Sequence, residues 1–240
     1  MKQPLRLLSL GALFLAVILL FSALMHAAEG YFLSAIPTDA AASEFPVLIL
    51  DAGHGGEDGG ATGTNGVLEK DLNLSVTQTL ATLLRLCGYT VVETRTEDKL
   101  LYTEGTKKGH KKQSDLENRL AFTQKYPDSV FISIHMNTFP TPDCKGVQVW
   151  YSANHAESAL WASTVQDRVT ALLQPTNHRK TKAATSNIYI LRHAATPAIL
   201  VECGFLSTPS DCALLCDKTY QKQFSLALCT AVFEKTARKS

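Results

Sequence analysis

The chain has 240 residues, is 45% hydrophobic and 19% charged, and carries Lys+Arg 23 against Asp+Glu 22 for a net charge of +1. Such a mixture excludes a disordered chain, and the near-balance of charge supplies no global field for nucleic acid. Its 6 cysteines form no CxxC pair, which excludes the common zinc-finger spacings.

Lys2 and Arg6 precede an almost unbroken apolar run, Leu7 to Met25. A basic end followed by such a run is an export signal. The run is long for a signal peptide and close to the ~20 residues that span a bilayer. Met25 and His26 spoil the small-x-small cleavage registers around Ala23, Ala27 and Ala28. The segment 1–28 therefore reads as an uncleaved signal-anchor in preference to a cleaved signal. It attaches the protein to the membrane with the rest of the chain outside the cytoplasm. Residues 29–45, rich in Ala and Ser, read as a linker, and 46–240 as one domain of a size that buries its own core.

Val47 to Leu50 is an apolar strand that stops at the glycine loop Asp51-Ala52-Gly53-His54-Gly55-Gly56. From Glu69, the residues Leu72, Val76, Leu80, Leu83, Leu84 and Cys87 recur at helical spacing, and Gly88 ends the helix. Tyr89 to Thr94 is a second strand, closing on Arg95. Strand, helix, glycine, strand is a βαβ unit and predicts parallel pairing. The lysines 107, 108, 111 and 112 around Gly109 and His110 read as a solvated loop, with contact to an anionic polymer as the lesser alternative. Ser114-Asp115-Leu116-Glu117 has capping-box character and predicts a helix through about Lys125. Val130 to Ile134 is a buried strand ending on His135. Gly146 to Tyr151 alternates as a strand, Ala156 to Leu173 is an amphipathic helix, and Ile188 to Leu191 reads as a short strand or extended segment. Ala198 to Val201 is the last core strand, ending on Glu202, and helices follow near 210–216 and 220–237. The fold class is α/β: a single-domain sandwich whose mixed, largely parallel central sheet is flanked by helices. Cys87, Cys203 and Cys229 read as small core residues. Cys212 and Cys216 share a helix face, and a bridge from Cys144 to another loop cysteine is left open.

Three polar groups thus end apolar strands, His54, His135 and Glu202, while Glu69 starts a helix just after the first loop. In a parallel sheet these strand ends share one edge, where ligands bind. Two imidazoles and a carboxylate are a familiar ligand set for catalytic zinc, which keeps an open position for water. His54, Glu69 and His135 supply that set. Glu202 remains as general base on the water and proton donor to the leaving amine. Taken singly, each has an ordinary structural explanation: a helix-terminus charge for Glu69, an edge histidine for His135, an ion-pair partner for Glu202. No HExxH helix is present.

Five stretches together resemble the type 3 zinc-dependent N-acetylmuramoyl-L-alanine amidases of bacterial cell walls. They are Asp51-Ala52-Gly53-His54-Gly55-Gly56-Glu57-Asp58-Gly59-Gly60-Ala61, Gly66-Val67-Leu68-Glu69-Lys70-Asp71-Leu72, Leu116-Glu117-Asn118-Arg119, Phe131-Ile132-Ser133-Ile134-His135-Met136-Asn137 and Pro197-Ala198-Ile199-Leu200-Val201-Glu202-Cys203-Gly204-Phe205. The resemblance implies zinc on His54, Glu69 and His135, and Glu202 as catalytic glutamate. It implies an α/β sandwich and, as substrate, the amide joining N-acetylmuramic acid to L-alanine in peptidoglycan. Asn137 is expected to orient His135 or to meet substrate. Arg95 and Arg119 are expected to pair within the fold rather than with peptide carboxylates. Glu57 is left between the cleft and the surface. The size and single N-terminal segment resemble the short amidases of endospore formers, which prepare spore cortex. No nucleic-acid partner is implied, and an activating protein partner is left open. The rival readings are a zinc carboxypeptidase or endopeptidase on the stem peptide, and a non-catalytic wall-binding domain.

Overall fold

Alternation along Val47–Ala52 (β1) sends Leu48 and Leu50 into one core and Ile49 into another, and none of the three retains any exposure. This strand therefore lies inside a sheet covered on both faces. The computed structural model describes residues 45–141, 143–184 and 187–237, and Phe45–Ser240 form one compact unit. The expected signal-anchor and the linker up to Glu44 lie outside the described residues. Among the described residues, no helix is long and apolar enough to cross a membrane.

The other strands are Val91–Glu93 (β2), Ser129–Asn137 (β3), Gln148–Tyr151 (β4), Lys182–Ala183 (β5) and Ala198–Phe205 (β6). The sheet order is β2-β1-β3-β6-β4-β5. β2, β1, β3 and β6 run parallel, β4 is antiparallel to β6, and β5 is parallel to β4. The mixed, largely parallel sheet expected from the βαβ pattern is thus present. Four strands deliver their carboxyl ends to the same edge.

Helices Glu69–Leu86 (α1), Ala156–Leu173 (α3) and Lys218–Ala237 (α6) cover one face through a core that includes Leu80, Trp161 and Phe224. The other face is covered by Lys111–Gln124 (α2) and Tyr189–His193 (α4), which pack Leu116, Leu120, Ile190 and Leu191 near Ile49 and Phe131. A further helix, Pro209–Cys216 (α5), carries proline in its first turn, where a missing N–H costs nothing.

Three expectations are corrected. Residues 188–191 do not form a strand; they enter the short helix α4, which buries Ile190 and Leu191 together. Four apolar residues fit either period, and the sheet edge is taken instead by β5. The helix expected at Ser114 begins at Lys111, so Ser114 and Asp115 lie within its first turns. Their side chains cap the preceding loop, with Ser114 Oγ accepting from the Thr103 N–H at 3.0 Å and Asp115 Oδ1 from the Leu101 N–H at 2.7 Å. Cys87, expected in the core, is exposed at the end of α1.

Candidate metal centre

The loop after β1 is built by two residues that hold its backbone and two glycines that leave room. His54 sits at φ 60, in the left-handed region that side-chain-bearing residues enter at a cost on the order of 1 kcal/mol. Arg119 offsets that cost by donating from Nη2 to the His54 carbonyl at 2.8 Å and from Nη1 to the Ala52 carbonyl at 2.8 Å. Arg95 donates to the same loop from the other side, to the Ala52 carbonyl at 2.8 Å and the Gly53 carbonyl at 2.9 Å. Gly53 is required by close approach, since a Cβ there would lie 2.2 Å from the His135 ring. Gly60, at φ +68, would bring a Cβ to 2.5 Å from Glu69 Oε2 and 2.8 Å from His54 Cδ2.

Into this space project His54 from the loop, Glu69 from the first residue of α1, and His135 from the end of β3. Each offers one ligand atom, and the three atoms lie within 4.8 Å of one another. His54 Nε2 is 3.3 Å from Glu69 Oε2, and His135 Nδ1 is 2.9 Å from Glu69 Oε1. The two rings stand edge to face with centroids 5.0 Å apart. Glu69 is further fixed by the Ala61 N–H at 2.8 Å, the Met136 N–H at 3.0 Å and Asn73 Nδ2 at 3.3 Å. Burial alone would raise the Glu69 carboxyl pKa, but the two imidazoles hold it well below the usual range. Burial opposes a charge on His54, yet Asp58 and Glu69 outweigh it and push the imidazole up to about 9. The cluster thus favours positive charge between its imidazoles, whether carried by protons or by a metal cation that displaces them.

Glu202 lies beside this cluster, its Cα paired with that of His135 across β3 and β6. Its Oε2 is buried with no hydrogen-bond partner among the described residues. Burial pushes its carboxyl up to about 7, with Glu69 adding to the rise and the imidazoles opposing it. A carboxyl titrating near neutrality next to a metal-ligand triad is suited to accept and return a proton.

The structure therefore brings His54, Glu69, His135 and Glu202 together, and sets Asn137 two residues past His135 at the end of β3. Its Oδ1 accepts from the Thr138 N–H at 2.8 Å, and its carbonyl accepts from the Leu206 N–H at 2.8 Å. Arg95 and Arg119 are buried and engaged with carbonyls and carboxylates of the fold. Glu57 is exposed and pairs with Lys111 at 3.1 Å. Asp58 was not anticipated: its Oδ2 lies 2.9 Å from His54 Nδ1, on the side of the ring away from Glu69. Its spacing of four from His54 was the available signal, usable only once His54 is known to turn the chain back. Lys112 stands 3.3 Å from the same Asp58 oxygen, so two lysines read as a solvated loop in fact fasten α2 to the loop after β1.

The family described as N-acetylmuramoyl-L-alanine amidase matches residues 48–234 of this chain. The chain belongs to that family. The amidase is 36% identical over 183 residues to a germination-specific N-acetylmuramoyl-L-alanine amidase of Bacillus subtilis (strain 168), covering 76% of each chain. Among solved structures it is similar to the CwlD amidase from Clostridioides difficile in complex with the GerS lipoprotein. That similarity has a TM-score of 0.76 at 33% identity and covers 82% of this chain and 100% of that one. The AmiC2 amidase of Nostoc punctiforme matches with a TM-score of 0.69 at 28% identity, over 80% of this chain and 98% of that one. The protein is accordingly an enzyme, a peptidoglycan amidase acting at the cell wall, built on the α/β sandwich of its relatives.

Proposed function

We propose that the amidase is zinc-dependent, with His54, Glu69 and His135 as ligands and Glu202 as the catalytic carboxyl. One observation carries the assignment: three convergent ligand atoms stand beside a buried carboxylate oxygen that has no hydrogen-bond partner among the described residues. The residues fit zinc, because two imidazoles and a carboxylate match its catalytic ligand sets and the orphaned oxygen leaves a place for water. When bound, zinc supplies a Lewis acid for the scissile carbonyl and lowers the pKa of water toward neutrality. Glu202 takes the proton of the attacking water and delivers it to the nitrogen of L-alanine as the amide to N-acetylmuramic acid breaks. Asp58 holds His54 in the tautomer that presents Nε2 to the metal. Asn137, at the rim of the same edge, is left to contact substrate.

The rivals fit less well. A carboxypeptidase needs a cation presented to a terminal carboxylate, and Arg95 and Arg119 are turned instead onto the loop's own carbonyls. A binding domain has no use for an unpartnered Glu202. The germination-specific relative supports a role in spore cortex, the apolar run Leu7–Met25 supports anchoring outside the cytoplasm, and the lipoprotein complex of the C. difficile relative supports a protein partner.

The test is digestion of purified peptidoglycan, with products identified by mass spectrometry. Free stem peptides with L-alanine N-termini are expected, lost on chelation and in Glu202→Gln. Cleavage inside the peptide would overturn the amide assignment, and full activity in the variant would overturn the role of Glu202.

A further inference from the structure

Cys87 caps the end of α1, and Cys229 sits in α6, which packs along it. Their Sγ atoms are 4.0 Å apart, in contact and unbonded, against the ~2.05 Å of a disulfide bond. Tyr89 Oη lies 2.6 Å from Thr236 Oγ1 across the same seam, so the two elements are already held in register there. Among the described residues this is the one contact between two thiols. Cys212 and Cys216, the pair singled out by spacing, each bond instead to the side chain of Asn65, at 3.4 and 3.3 Å. Cys203 is buried against the Val201 carbonyl at 3.7 Å.

We propose that Cys87 and Cys229 are a disulfide site, closed by an external disulfide donor, either a small-molecule disulfide or a disulfide-bearing oxidoreductase. Cys87 is the exposed member and Cys229 is buried, which sets the order of events. The Cys87 thiolate attacks one sulfur of the donor, forming a mixed disulfide and releasing the first donor thiolate. The Cys229 thiolate then attacks Cys87 Sγ, forming the intramolecular bond and releasing the second. Two electrons pass to the donor, and the two protons lost by the cysteines end on the released thiols. Burial, with Cys87 alongside, pushes the Cys229 thiol up to about 11, so little of it is thiolate and the second step is the slower of the two. The bond would fasten the far end of the helix whose first residue is Glu69. It would also close a loop across |i−j|=142, constraining the unfolded chain far more than a short bridge does. The inference rests on the two thiols alone and is independent of the metal assignment.

The purified full chain would be treated with oxidised glutathione, alkylated, and digested with trypsin without reduction. A linked species joining peptide 86–95 to peptide 223–235 is expected. Recovery of both thiols alkylated, of Cys87 halted as its glutathione adduct, or of either linked to another cysteine would overturn the proposal. Thermal unfolding supplies the second readout. Oxidation is expected to raise Tm by roughly 5–15 °C in the native sequence and to leave Cys87→Ser unmoved. An equal rise in Cys87→Ser would also overturn it.

Discussion

Two charged clusters stand at the carboxyl end of β1, three residues apart in sequence, and they are finished in opposite ways. In the first, Asp51 accepts from Thr94, Ser133 and Arg119, while Asp115 accepts from Arg119 and the Leu101 N–H. Every carboxylate oxygen there has a partner. In the second, Glu69 is equally well served, yet Glu202 Oε2 is buried with no hydrogen-bond partner among the described residues. A buried carboxylate without a partner costs stability, and folds retain such groups where chemistry needs them. The closed cluster is architecture that holds the loop; the open one is the site that the loop serves.

The contrast is broken most directly at Glu202. Glu202→Gln is expected to lower kcat by about 10²–10⁴ through loss of the proton carrier. Its Tm should stay level or rise, because burial disfavours the charge removed and its Oε2 has no hydrogen bond to lose among the described residues. Full loss of fold in this variant would place Glu202 in the architecture after all. The mirror experiment is Arg119→Met. It leaves Asp51 and Asp115 buried without their counterion and is expected to cost about 3–5 kcal/mol in denaturant unfolding. A loss under about 1 kcal/mol would show that the first cluster is not what holds the loop.

Much of the open cluster was legible in the sequence. His54, His135 and Glu202 each end an apolar run, and such runs place their ends on a common edge once Gly88 marks a βαβ crossover. The closed cluster was far less legible, because Arg95 and Arg119 bond mainly to main-chain carbonyls, which leave no trace in residue identity. Asp58 was hidden for a related reason. Its contact with His54 depends on a backbone turn at φ 60 that no propensity for histidine announces. The cap residues Ser114 and Asp115 misled because the same side chains that start helices also tie down loops.

Asp58 sharpens the comparison, since it lies outside both clusters and acts on the open one through His54. Asp58→Asn keeps the size of the side chain and is expected to weaken zinc binding by about 10–100-fold. The check is competition with a chromogenic chelator. Chelation should also lower the Tm of the native sequence, by the linkage of any ligand bound only to the folded state. His135→Ala should show no such response. Unchanged zinc affinity in Asp58→Asn would reduce its contact with His54 to loop packing.

The smallest expected effect is a difference in slope, and it separates the clusters by pH. Burial alone would raise the Asp51 carboxyl, but the Arg119 charge and the Ser133 and Thr94 hydroxyls outweigh it, so its pKa in the folded chain is lowered. In the unfolded chain an aspartate titrates near ~3.9. As pH falls through that value the unfolded state takes up the proton first, and folding loses free energy. The stabilisation is therefore complete above the unfolded pKa and is lost as pH drops toward the folded one, at up to about 1.4 kcal/mol per pH unit from this group. Asp51→Asn removes the titration. Its unfolding free energy in urea, lower at neutral pH, should fall less steeply between about pH 5 and 3 than that of the native sequence. Glu202→Gln should do the opposite and steepen the fall, because the Glu202 carboxyl is raised in the folded chain, which takes up its proton before the unfolded chain does and so gains stability as pH drops toward the unfolded value. Parallel slopes for the native sequence and Asp51→Asn would mean that Asp51 is not held ionised by Arg119. The closed cluster would then owe its order to hydrogen bonds alone.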